Sequence, residues 1–176
     1  MLVVETGTGA SDSESYVSVS DAASYAAARG LAFPSSPEAP AEQALRRATT
    51  FIDATYRASF PGARTNGRSQ ALQWPRVDAY DREGEEIASD EIPAEIVSAT
   101  IEAAVRELAS PGSLSPDIVP GEITKRMKAG SVEIEYAVGS GAASEQRPVA
   151  TVVDDILSGL LAIRRGPVLF GTVARA

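Results

Sequence analysis

The chain has 176 residues, 44% of them apolar, which suits one domain with a buried core better than two. Its 24 acidic and 16 basic side chains give a formal charge of −8, and a surface potential of that sign works against general phosphate binding. The absence of histidine and cysteine excludes a Ser-His-Asp triad, a thiolate nucleophile, a disulfide framework and the usual zinc, haem and iron–sulfur ligands.

No basic-then-apolar leader opens the sequence, and no apolar run approaches the roughly 20 residues of a membrane span, so a soluble protein without membrane contact is expected. Residues 1–15 read as an extended arm, from the apolar Leu2-Val3-Val4 through Gly7 and Gly9 to a Ser/Asp cluster. Ser18 and Asp21 form a capping pattern, in which side chains satisfy amides left free at a helix start. The first helix is expected to run to Arg29 and stop at a left-handed Gly30, with Tyr25 as its main packing group. A proline-rich loop over 31–40 leads to a second helix from about Ala41 to Ser59. There Leu45, Ala48, Ile52, Thr55 and Tyr56 share a stripe, Phe51 lies beside it, and Arg46, Arg47 and Arg57 fall mostly off it.

Residues 62–92 read as a long irregular stretch that holds the single tryptophan and an acidic run from Asp81 to Glu91. Pro93 suits the first position of a third helix, whose apolar face comprises Ile96, Val97, Thr100, Ile101, Ala104, Val105 and Leu108. Glu102 and Arg106 stand at favourable i,i+4 spacing on the other side. Alternation over 122–137 predicts a hairpin turning at Ala129-Gly130, with Met127 facing Val132 and Arg126 facing Glu133. A fourth helix is expected from a Thr151 cap, with Val152, Val153, Ile156, Leu157, Leu160 and Ile163 as its apolar face and Gly166-Pro167 as its stop. The predicted fold is therefore mainly α: a small bundle of about four helices, a hairpin between the third and fourth, and extended terminal arms. Its domain covers 1–166, and 167–176 form an apolar tail too short to bury itself.

No catalytic, cofactor-binding or metal residues are assigned, and no enzyme activity is expected. Gly7-Thr8-Gly9-Ala10 lacks the Lys-Ser/Thr continuation of a phosphate-binding loop and reads as structural, in preference to an anion cradle. The 81–91 carboxylates do not match calcium-loop spacing, which favours a solvated loop or one facing a basic partner; a carboxylate-pair hydrolase stays open as a distant alternative. Arg64, Arg68, Arg76 and Arg82, interspersed with Trp74 and Tyr80, allow two readings. They form either a single-strand-binding surface, or a core plug at Trp74 with its arginines paired to carboxylates; the second is favoured. Trp74, Pro75, Tyr56 and Ile101 are the expected structural anchors.

Several segments in order carry a resemblance. They are Val4-Glu5-Thr6-Gly7, Ser15-Tyr16-Val17-Ser18-Val19, Tyr25-Ala26-Ala27-Ala28-Arg29-Gly30 and Ala44-Leu45-Arg46-Arg47-Ala48-Thr49 with Asp53 and Tyr56. Gln70-Ala71-Leu72-Gln73-Trp74-Pro75-Arg76 and Ile92-Pro93 follow. Together they resemble a family of tailed bacteriophages and gene transfer agents labelled DnaT-like and otherwise regarded as head–tail adaptor or head-completion proteins.

The resemblance implies a structural connector in the virion neck, assembled in the host cytoplasm as a ring of about twelve copies beneath the portal protein. It would extend a channel that double-stranded DNA traverses, and seat a stopper or tail-terminator protein. The resemblance places portal docking in a tail of Arg164, Arg165, Pro167, Val168, Leu169, Phe170, Val173 and Arg175. It makes the hairpin residues Arg126, Lys128, Glu133 and Glu135 candidates for subunit or stopper contact. The alternative implied by the label is a single-stranded-DNA-binding replication accessory.

Overall fold

A computed structural model describes residues 1–117, 126–129, 132–135 and 149–161. Helix α1 (Val19–Ala28) starts as its sequence dictates: the Ser18 hydroxyl accepts from the Asp21 N–H at 3.1 Å. Gly30 follows with φ +68°. The packing group differs from expectation, because Val19, Ala22 and Ala26 are buried whereas Tyr25 is only half-buried beneath the Arg29 guanidinium. Small side chains let α1 lie close to its neighbours, and a tyrosine at that contact would hold it off.

Helix α2 (Glu38–Tyr56) begins three residues earlier than predicted and ends three earlier. Pro40 sits in its first turn, where a missing N–H costs no helical bond. Ala41, Ala44, Leu45, Ala48, Thr49, Ile52 and Tyr56 are buried, while Thr55, assigned to the stripe, is exposed. Helix α3 (Ala94–Ala109) takes Pro93 as its N-cap and buries Ile96, Ala99, Thr100, Ile101, Ala103 and Ala104 against α2. Full burial of Ile96 and Ile101 stabilises the fold by roughly 1.5–3 kcal/mol each. Helix α4 (Thr151–Leu157) packs on α3 through Val153 and Leu157, whereas Val152, expected on the same apolar face, is exposed. Ala150, not Thr151, is its N-cap, without a side-chain cap bond.

The 62–92 stretch is more regular than predicted. Strand β1 (Ala63–Arg64) pairs antiparallel with β2 (Arg76–Val77), and β3 (Ala79–Tyr80) with β4 (Glu86–Ile87). Two-residue strands leave no alternation to read, so the sequence pattern could not reveal them. Strands β5 (Arg126–Ala129) and β6 (Val132–Glu135) also pair antiparallel, but two residues off the predicted register, with Arg126 opposite Glu135 and Lys128 opposite Glu133. Residues 130–131, Gly-Ser, separate the strands, a stronger two-residue hairpin signal than the Ala-Gly chosen from sequence. The hairpin contact candidates thus occupy adjacent cross-strand positions. Ile163 and the whole tail from Arg164 to Ala176 lie outside the described residues.

The predicted N-terminal arm is a folded loop. Its backbone bonds back on itself, with Val4 bridged to Ser15 and Glu5 N–H donating to the Ser15 carbonyl at 2.8 Å. The Glu5 carboxylate is buried in a ring of donors: the N–H groups of Gly7, Gly9 and Ala10 and the hydroxyls of Thr8 and Ser13. The glycine loop, read as structural, is structural in this way: its donors close on the chain's own Glu5 carboxylate. Gly7 is required there: φ is +97°, and a Cβ would sit 1.8 Å from the Asp90 carbonyl oxygen.

Candidate functional site

The arginine and aromatic segment around Trp74 is architecture. Trp74 is fully buried, edge-on to Phe60 with ring centroids 5.8 Å apart. The Tyr16 hydroxyl donates to Asp53 at 2.6 Å and accepts from the Gln73 and Trp74 N–H groups, while the other Asp53 oxygen also accepts from Gln73 N–H. Burial and the neighbouring Asp53 charge push the Tyr16 hydroxyl well above its ordinary range, which keeps it a donor.

Arg76 is buried and donates to the carbonyls of Pro61, Gly62 and Gln73; Arg64 donates to that of Gln70 at 3.2 Å. These two arginines bond to backbone, not to the carboxylates expected. The structure separates the remaining members. Arg68 is exposed on a short 3-10 turn (Gly67–Ser69), whereas half-exposed Tyr80 and exposed Arg82 sit among Asp81, Glu83, Glu85 and Glu86. Asp81 there caps its own turn, accepting from the N–H groups of Glu83 and Glu85. Among the described residues no cluster of carboxylates converges to hold a metal ion.

A different surface has the chemistry of a binding site. A cavity of about 350 Å³ runs along α2 between Arg46, Arg47, Thr50 and Phe51 on one wall and Glu107, Leu114 and Ser115 on the other. A second cavity of about 420 Å³ shares Phe51 and Leu114 and adds Arg106, Ser110 and Ser113. Phe51 thus forms a half-buried ridge between two hollows, with arginines on both sides.

Tyr56 braces the Phe51 ring edge-on at 6.4 Å, and its own hydroxyl donates to Asp154 of α4. Burial, followed by that bond and charge, raises the Tyr56 hydroxyl far enough to keep it protonated. Arg46 is engaged by Glu14 at 2.8 Å and Glu42 at 3.3 Å, and Glu42 also takes the terminal ammonium. Arg106 makes no ion pair among the described residues; its expected partner Glu102 accepts from Tyr25 at 3.2 Å.

Glu107, the one acidic side chain in the two linings, is 1% exposed and pairs with Arg47 at 2.6 Å. Sequence reasoning missed this groove. Its signal was present in the spacing Arg46, Arg47, Thr50, Phe51, Ala54, a second helical face that the apolar stripe of α2 leaves free.

A protein-family model described as "Putative DnaT-like ssDNA binding protein" matches residues 1–176. No curated protein matches the chain, and no solved structure does. The head–tail adaptor function expected from the resemblance is corrected by this match, since the family is described by single-stranded DNA, the property of the alternative reading. The portal partner, the ring and the neck location were implied by the adaptor reading alone. With the match spanning its full length, the chain belongs to the family described as "Putative DnaT-like ssDNA binding protein".

Proposed function

We propose that this protein binds single-stranded DNA through the α2 groove, as an accessory rather than a catalyst. One observation carries the reading: two adjoining hollows flank a braced phenylalanine, with Arg46, Arg47 and Arg106 around them and a single, internally paired acid. Aromatic faces stack bases of any sequence, and arginines beside them neutralise the backbone. Phe51 would take a base, Arg106 and the free nitrogens of Arg47 would take phosphates, and the hydroxyls of Thr50 and Ser113 would add polar contacts. The family description supports the ligand class.

Fluorescence anisotropy of a labelled single-stranded oligonucleotide tests it. Phe51→Ala is expected to weaken binding by about 1–3 kcal/mol, the usual worth of one stacked base. Arg106→Ala should reduce the slope of log affinity against log salt by about 0.7. Arg68→Ala, outside the groove, should change neither. Arg47→Ala is a poor probe, because it strands a buried carboxylate and destabilises the fold. Binding that is undiminished in both Phe51→Ala and Arg106→Ala would remove the groove from consideration.

A further inference from the structure

We infer that the groove takes two successive nucleotides of an unstacked strand, one base in each hollow, with Phe51 wedged between them. The inference rests on the single-strand-binding reading and specifies the form of strand that the site accepts.

The two hollows are of similar size, about 350 and 420 Å³, near the lower end of the range for small-molecule pockets. Each therefore suits one base with its sugar, not a stacked run. Phe51 and Leu114 line both, so these two side chains form the partition between them. Leu114 is buried, whereas Phe51 is only half-buried, which makes the phenyl ring the part of the partition that a strand meets. The ring is also held in place: Tyr56 packs edge-on against it, and the Tyr56 hydroxyl is tied to Asp154 of α4. The cations are divided in the same way. Arg46 and Arg47 border the first hollow and Arg106 the second, so a phosphate beside either base has a guanidinium on its own side.

Bases stacked along one strand lie about 3.4 Å apart. A phenyl ring inserted between two of them needs roughly the same thickness again, so their separation grows to about 7 Å. Opening such a step costs stacking free energy in any nucleic acid. A duplex carries the larger cost, because the paired strand is unstacked as well; a free strand only has to turn about its own backbone. The partition thus selects a flexible single strand by its shape. It is indifferent to sequence, since every base has a face to lay against an aromatic ring.

The experiment uses the full chain and a tetranucleotide in which two adjacent 2-aminopurines lie between thymidines. Aminopurine emission is quenched while the two bases stack on each other and rises when they part. Anisotropy of an end-labelled copy reports binding separately. At saturation, wild-type protein should raise the emission severalfold. Phe51→Leu, which keeps an apolar wedge, should retain part of that rise, and Phe51→Ala should lose it. A duplex of the same sequence should bind about tenfold more weakly than the single strand. Unchanged emission on wild-type binding, or an equal rise with Phe51→Ala, would overturn the wedge and leave strand binding standing. Equal affinity for the duplex would overturn the wedge too. If no strand shifts the anisotropy, both readings fall. Should Phe51→Ala fail to fold, the wild-type emission and the duplex decide alone.

Discussion

At the scale of single residues, two carboxylates set the chemistry of the fold. Asp53 anchors the tryptophan segment to α2, and burial raises its pKa from an ordinary 3.8 to about 6, against the downward pull of Tyr16, Gln73, Arg57 and Arg76. A raised carboxyl value means that the native state holds its proton more firmly than the unfolded chain. This group's contribution to stability therefore falls as pH rises from 3.8 to about 6, by about 3 kcal/mol. In Asp53→Asn, the slope of unfolding free energy against pH over that window should be more positive than in wild type. Identical slopes would show that Asp53 does not titrate there. Glu5 has the opposite sign. Burial pushes it up, but Ser13 and the N–H groups of Gly9, Ala10 and Gly7 outweigh burial and hold it below 4.5. Its stabilisation is present above that value and is lost as pH falls through its lowered one. Trp74→Ala should cost about 3–5 kcal/mol in unfolding free energy, because the buried indole leaves a cavity beside Phe60. Oligonucleotide affinity of the folded variant should not change; a loss of binding without a loss of stability would return Trp74 to the nucleic-acid surface.

At the scale of elements, the helices are defined by local rules and positioned by non-local ones. Helix α1 is ten residues long and rich in alanine, so its start depends on the Ser18 cap. Ser18→Ala should cost about 1 kcal/mol and Ser18→Gly only a few tenths, read by chemical denaturation. Equal, negligible costs would mean that packing of Val19, Ala22 and Ala26 suffices. Helix α2 works on two faces. Its buried side meets α3, and its other side presents Arg47 and Phe51 to the groove. Element boundaries fared less well in the sequence reading than element identities. Pro40 looks like a helix breaker in isolation, yet the first turn accepts it, and α4 ends at Leu157, well short of the expected Gly166-Pro167 stop.

At the scale of the whole molecule, charge sets the conditions under which the groove can act. The formal charge is −8 at pH 7 and the pI is about 4.6, so distant carboxylates repel the strand that the local arginines attract. Lowering the pH from neutrality toward the pI should tighten oligonucleotide binding at low salt. The effect should shrink at high salt, where the Debye length drops to about 3 Å. A pH-independent affinity at low salt would mean that the groove is shielded from the rest of the surface. The groove's acidic counterpart, a hollow of about 190 Å³ lined by Asp81, Glu85, Glu86, Glu91 and Glu95, has the wrong sign for a phosphate backbone.

What the sequence determined by itself was whatever depends on near neighbours along the chain. The Ser18 cap, the apolar stripe of α3 and a hairpin near 126–135 follow from spacing and capping alone, because their hydrogen bonds and faces are local. Tertiary structure decided the partners. Arg47 meets Glu107 across 60 residues, Tyr56 meets Asp154 across 98, and Arg76 turns to carbonyls where carboxylates were expected. No periodicity encodes such choices. A buried polar group takes whichever donor or acceptor the packed helices bring within about 3 Å, and only the folded chain fixes which one that is.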